Sequence, residues 1–217
     1  MIKDLILKIV QYTSPGRLLV GFYFLQKNHL SKSGWKKSVI KRLPIDSDQK
    51  EMPWFTYACI YFLGPKLKED HFVFEYGSGN STIWFADKTQ KVVSIEHDKE
   101  WHAHMKQRYI EYCNITYLLK DIVSGSYQRE ILNYEKVFDI IVIDGRERVE
   151  CTMNSLNALK DDGVIIWDNS DRTKYSKGYQ FLMKNGFKRL DFYGMGPISA
   201  HSWCTSIFYK QSNCLDI

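Results

Sequence analysis

A chain of 217 residues with 44% hydrophobic and 25% charged side chains can bury one sizeable core, which excludes a disordered segment and a disulfide-stapled miniprotein. Its five cysteines (Cys59, Cys113, Cys151, Cys204, Cys214) are odd in number and form no C-x-x-C pair, so a reducing, cytoplasmic setting is expected and a zinc site is not. The net charge of +5 is unevenly placed, with nine Lys or Arg against the single acid Asp4 in residues 1–42 and an excess of acids beyond.

Residues 1–50 read as a basic helical extension preceding a domain at 51–217. The longest apolar run, Leu18 to Leu25, is eight residues interrupted by Gly21, well short of the ~20 that a membrane span needs. Lysines interleaved with Leu, Ile, Phe and Tyr suit two arrangements. One is peripheral contact of residues 1–42 with an anionic membrane surface, and the other is an amphipathic helix packed on the domain with its lysines in water. No nucleic-acid recognition motif accompanies the charge, so nucleic acid is not an expected partner.

A polar connection, Ile45 to Pro53, leads to a helix expected from Trp54 to Leu63 and stopped by Gly64 and Pro65. Beyond it, short β-branched or aromatic runs alternate with helical patterns, the mark of a mostly parallel sheet covered by helices. Strands are expected at Phe72–Tyr76, Lys91–Glu96, Ile115–Lys120, Phe138–Ile143 and Val164–Trp167. The runs IIVI before Asp144 and VIIW before Asp168 are continuously apolar, as strands buried on both faces should be, and belong at the sheet centre. Phe187–Phe192 and Trp203–Tyr209 lack a helix between them and read as an antiparallel pair.

The strongest local signal is the segment FVFEYGSGNST, residues 72–82, an apolar strand ending in Glu75, then Gly77-x-Gly79, then a polar cap at Asn80 or Ser81 opening a helix. Glycines there let the chain turn sharply and let a ligand approach backbone N–H groups at a helix start. A dinucleotide fingerprint would want a third glycine at position 82, where the chain has Thr82, and would not usually want an acid directly before the turn. S-adenosylmethionine carries an ammonium and a carboxylate, which gives Glu75 a task, either direct contact with the amino-acid end or fixing of the loop. Nineteen residues after Gly77 the next strand ends in Glu96, at the spacing of an acid that accepts from ribose hydroxyls. Asp121, at the third strand exit, is placed to reach an adenine amino group.

FEYGSGNST, IEHD, IDGRERVEC and GVIIWDN fall in the order and spacing of class I S-adenosylmethionine-dependent methyltransferases, which the chain resembles over residues 52–210. EYGSGNST with IDGR-x-R-x-x-C looks like a subgroup that includes bacterial polysaccharide or small-molecule modifying proteins and plant sugar-uronate O-methyltransferases. The resemblance implies an α/β, Rossmann-like doubly wound sheet of seven strands in the order 3-2-1-4-5-7-6, with strand 7 antiparallel. It also implies S-adenosylmethionine as cofactor, lined by Glu75, Gly77, Gly79 and Glu96. Tyr76, Ser78, Ser81, His97, Asp121 and Asp144 complete the expected contact set.

Asp144 and the pair Asp168-Asn169 should meet at the carboxyl edge, because neighbouring strands run about 4.8 Å apart. Two carboxylates and an amide suit Mg²⁺, and the trio resembles the metal site of catechol-type O-methyltransferases; a metal-free site with Asp144 or Asp168 touching the acceptor is the competing expectation. Where the catechol-type pattern has a lysine, this chain has Glu147, a candidate general base, between Arg146 and Arg148, candidates for an acidic acceptor group. Alternatively these arginines pair with neighbouring acids and only order the loop. The expected function is O-methylation of a saccharide or small hydroxylated molecule, catalysed with Asp144, Glu147 and Arg146. The rivals are an NAD-dependent oxidoreductase and an inactive, membrane-attached scaffold.

Overall fold

A computed structural model describes Val10 and residues 12–217. Its centre is a seven-stranded sheet formed by β1 (Phe72–Tyr76), β2 (Lys91–Glu96), β3 (Ile115–Leu119), β4 (Phe138–Ile143), β5 (Leu159–Asp168), β6 (Lys188–Gly194) and β7 (Trp203–Tyr209). The order is β3-β2-β1-β4-β5-β7-β6, parallel from β3 to β5, with β7 antiparallel to both of its neighbours. This is the expected topology. Every residue of β4 is buried, and so are Val164 to Trp167 of β5, because apolar clusters cover the sheet on both faces. The chain leaves β1 toward β2 on one side and reaches β4 on the other, so the exits of β1 and β4 flank the switch point where ligands of such sheets bind.

The helices that position the site are α1 (Ser14–Phe24), α2 (Trp35–Lys41), α3 (Tyr57–Leu63), α4 (Asn80–Ala86), α5 (Lys99–Tyr109), α6 (Ser126–Arg129), α7 (Arg148–Ser155) and α8 (Ser176–Lys184). The helix expected from Trp54 starts only at Tyr57. Thr56 is drawn into extended backbone by the sheet, its N–H donating to Thr205 Oγ1 and its hydroxyl to Phe192 O, both at 3.0 Å. Tyr57 N–H then donates to Met195 O at 2.8 Å, so tertiary bonds override the local helical pattern. β5 begins five residues before the expected Val164, its polar start held by Lys160, whose ammonium lies 2.8 Å from Asp139. β3 ends at Leu119 rather than Lys120, and β6 runs over Lys188–Gly194 instead of 187–192.

The N-terminal extension divides in two; residues 1–9 and 11 of the expected arm lie outside the described residues. Residues 33–52 are seated on the domain. Ser38 is fully buried and bonds both the N–H and the C=O of Ile45, Pro44 O accepts from Asn80 Nδ2 at 2.7 Å, and Ile45 and Met52 are buried. Trp35 Nε1 donates to Ser199 O at 2.9 Å, a link across the whole chain. The expected polar connection is therefore partly a buried clip. By contrast α1, started by the Thr13 hydroxyl on Gly16 N–H and by Pro15 in its first turn, buries only Gly16. Its other residues are partly or wholly exposed.

Candidate active site

Gly77 turns the chain after β1 with φ +92°, a conformation that disfavours a side chain, and a Cβ there would come within 3.1 Å of Gly145 Cα. The turns after β1 and β4 thus touch through two glycines. A Cβ on Gly145 would lie 1.9 Å from the Tyr127 hydroxyl and 3.0 Å from Gly77 N, so this position has no room for any other residue.

Beneath the β1 turn, Glu75 is almost wholly buried. Its carboxylate accepts from the hydroxyls of Ser81 and Thr82 at 2.5 Å and Ser94 at 2.9 Å, and Thr82 Oγ1 also accepts from Gly79 N–H at 3.2 Å. Burial pushes the carboxyl up to about 7, with the three hydroxyls acting in the opposite direction. Of the two tasks expected for Glu75, fixing the loop is the one its contacts perform. Tyr76 is likewise internal, its hydroxyl donating to Gln128 O, and Gly79 O accepts from Tyr109.

Glu96 reaches the carboxyl edge from β2. Its Oε2 accepts from Ser78 Oγ at 2.9 Å, and Oε1 accepts from the N–H groups of His97 at 2.7 Å and Asp98 at 3.0 Å. His97 Nδ1 also lies 2.8 Å from Oε1, without hydrogen-bond alignment. A carboxylate can accept about four hydrogen bonds, so this fixed group keeps capacity for a ligand hydroxyl. Gly77, Ser78, Ser81, Glu96 and His97 form one wall of a cleft of about 280 Å³. Asp144, Gly145, Arg146, Arg148, Arg172 and Tyr175 form the other. Glu75, Tyr76, Gly79 and Asp121 do not line it; Asp121 is exposed, and its carboxylate accepts from Ser124 N–H at 2.6 Å.

At the β4 and β5 exits the organising group is the buried Arg148. It donates to Asp144 Oδ1 at 2.9 Å, Asp144 O at 2.7 Å and Gly145 O at 2.9 Å, and reaches across to Asp168 O. Of the readings left open for the arginines, pairing with Asp144 is observed for Arg148, whereas Arg146 is exposed on the cleft wall. Burial raises the Asp144 carboxyl above its ordinary range against the opposing pull of Arg148. Asp168, also buried, accepts on Oδ1 from Trp203 Nε1 at 2.9 Å and Thr205 Oγ1 at 2.6 Å. Burial first, then the charge of Asp144, pushes it up to about 7.

Asp144, Asp168 and Asn169 do converge, and with Trp54, Arg172, His201 and Trp203 they wall a second cavity of about 380 Å³ that shares Asp144 and Arg172 with the first. Glu147, exposed at φ +48° at the head of α7, lines neither cavity. His201 lies 2.8 Å from Ser199 Oγ through Nδ1. Cys151 is packed, its thiol pushed up by burial and directed at Arg146 O.

The donor set does not fit the expected Mg²⁺. Among the described residues no group of three or more His, Cys, Asp or Glu is placed to hold a metal. Asp144 already carries a guanidinium, Asp168 is bonded by an indole and a hydroxyl, and Arg172 adds positive charge near Asp144. Sequence reasoning missed Gly145, Arg172 and Tyr175. Only the glycine had a visible signal, since it directly follows an acid at the end of a central strand.

No protein-family model matches the sequence, and no curated protein matches it. Solved structures do match in fold. A precorrin-6y C5,15-methyltransferase from Geobacter metallireducens GS-15 is 16% identical, with a TM-score of 0.58 over 77% of this chain and 97% of that one. A methyltransferase-like protein from Silicibacter pomeroyi DSS-3 is 19% identical, with a TM-score of 0.55 over 75% and 90%. Spermidine synthase from Thermotoga maritima is 16% identical, with a TM-score of 0.56 over 74% and 61%. At these identities the likeness is one of fold, the seven-stranded sheet shared with class I methyltransferases, and the presence of a spermidine synthase shows that the fold by itself does not fix the reaction.

Proposed function

We propose that the chain is an S-adenosylmethionine-dependent methyltransferase acting on the hydroxyl of a saccharide or other small hydroxylated molecule. The observation that carries the cofactor class is Glu96, an anchored carboxylate on the wall of the cleft opened by the Gly77 and Gly145 turns. A dinucleotide is disfavoured by Thr82, whose hydroxyl is bonded to Glu75 and Gly79 where the third fingerprint glycine would let the helix pack closely on the strand.

When bound, S-adenosylmethionine supplies an electrophilic methyl group. The chain's own residues hold and orient: Glu96 would accept from ribose hydroxyls, and Ser78 in the turn and Ser81 in the first turn of α4, which Gly79 caps, would face the remaining polar groups. The acceptor would enter the adjoining cavity, whose carboxylates and indoles (Asp168, Asp171, Trp54, Trp203) suit a polyhydroxylated ring that offers donors at its edge and C–H groups on its face. Asp168, with a carboxyl at about 7, is partly ionised near neutral pH and can take the proton that the acceptor hydroxyl loses. Arg148 holds the acid pair together, and no step requires a metal.

The test is calorimetric titration of the full chain with S-adenosylhomocysteine and with NAD. Micromolar binding of the first alone is expected, followed by transfer of one methyl group to a hydroxylated acceptor, read by mass spectrometry. Binding of NAD alone would turn the reading to an oxidoreductase, and binding of neither to a non-catalytic role.

A further inference from the structure

We infer that α1 is a docking helix for anionic lipid bilayers. Leu18, Leu19 and Phe22 are 67%, 66% and 66% exposed, and Tyr12, Phe24 and Leu25 are exposed as well. Large apolar residues at this density are unusual on a single water-facing helix. The hydrogen bond of Leu25 N–H to Gly21 O continues the helix, so Leu18, Phe22 and Leu25, at i, i+4 and i+7, lie on one face.

Charge selects the occupant. No acid occurs between Leu5 and Ile45, whereas Arg17, Lys27, Lys32, Lys36, Lys37, Lys41 and Arg42 flank or follow the apolar face. Two copies of so basic a segment would repel each other, which disfavours self-association, while a surface of anionic headgroups over hydrocarbon complements both properties at once. The helix lies on the bilayer rather than across it, because no helix among the described residues is long and apolar enough to span. Behind α1 the chain is fastened firmly: α2 follows, with Trp35 bonded to Ser199 on the wall of the acceptor cavity. An inserted α1 would therefore hold the whole domain at the membrane.

The experiment is flotation of the full-length protein with vesicles of phosphatidylcholine alone and of phosphatidylcholine with phosphatidylglycerol. Binding to the second only, weakening as salt rises, is expected. The variant L18S/L19S/F22S should bind at least about tenfold more weakly, since three inserting side chains are removed. K27E/K32E, which alters exposed lysines alone, should also weaken binding and reduce its salt dependence. These positions lie outside the core, so thermal unfolding should be unchanged in both variants and serves as the control. Absence of vesicle binding, or binding that L18S/L19S/F22S leaves intact, would overturn the inference. So would a lipid-free dimer in sedimentation equilibrium that this variant dissociates, because the apolar face would then belong to a second copy.

Discussion

The two halves of the carboxyl edge hold their acids by different means. After β1 and β2, Glu75 and Glu96 are each held by three donors, two of them close along the chain and one reaching between the β1 and β2 segments: hydroxyls for the one and a hydroxyl with two backbone N–H groups for the other. After β4 and β5, Asp144 and Asp168 crowd each other, and one guanidinium spans both exits. Backbone at positive φ at Glu147 and Asn169 accompanies that crowding. The first half is built like a receptor, with acceptors held in place by hydroxyl and backbone donors. The second is built like a proton-handling device, in which burial raises both carboxyls and the charge of Asp144 helps push Asp168 up to about 7.

If that contrast is correct, Arg148 is the residue the molecule can least do without. Arg148→Ala would leave the Asp144 carboxylate and three carbonyls, of Asp144, Gly145 and Asp168, without their donor in a buried site. Such a loss costs about 3 to 5 kcal/mol, read as a lower urea midpoint. Arg148→Lys should recover less than half, because an ammonium cannot reach both strand exits as a planar fork does. A fall below about 1 kcal/mol for the alanine variant would mean that Arg148 orders only the loop.

The pH dependence of stability is set by one acid in each half. Glu75 and Asp168 both have folded-state values raised to about 7, so the native state retains protons that the unfolded chain has already released. Their contribution is fully present below the unfolded values near 4.5 and 3.8 and is lost as pH rises toward 7. Across that window the loss should be about 3 kcal/mol for Glu75 and about 4 kcal/mol for Asp168. Glu75→Gln and Asp168→Asn should each flatten the slope measured by denaturant unfolding between pH 5 and 8. Under the proposed function, only the second should also alter the pH profile of methyl transfer, since of the two only Asp168 lines the larger cavity, where the acceptor is proposed to enter.

The receptor half was the more legible in sequence, for a physical reason. Its contacts run between residues close along the chain: Glu75 to Ser81 and Thr82, Glu96 to His97 and Asp98. Strand identity was readable too, because β1 and β4 are apolar but for one acid each, so that their burial on both faces follows from composition, and β2 carries the β-branched Val92, Val93 and Ile95. The early start of β5 was hidden by the polar Lys160-Asp-Asp-Gly163, and it pairs with β4 through a register shift between Phe138 and Ile140. At the second half, position in sequence does not say which of Arg146, Glu147 and Arg148 turns inward. The left-handed backbone of Glu147 sends Arg148 inward and leaves its two neighbours exposed, and no propensity announces that. Trp35 on Ser199 is farther still from what local patterns encode.

The smallest effect tests the receptor half at its own strength. Glu96→Ala removes an acceptor that already has three donors within the protein, so Ser78 Oγ and the N–H groups of His97 and Asp98 are released along with the ligand contact. Ser78 keeps a partner in the Tyr117 hydroxyl at 2.8 Å, and the two N–H groups lie in the partly exposed loop after β2, where water can replace a carboxylate. The fold should therefore survive while S-adenosylhomocysteine binds about 1 to 3 kcal/mol more weakly in calorimetry. Asp121→Ala is the matched comparison: an exposed acid spent on the turn at Ser124 should leave affinity within about 0.5 kcal/mol of the parent. Equal losses in the two variants would move the ligand toward β3 and away from the cleft that Glu96 lines, and the distinction between a fixed receptor and a titrating half would lose its first term.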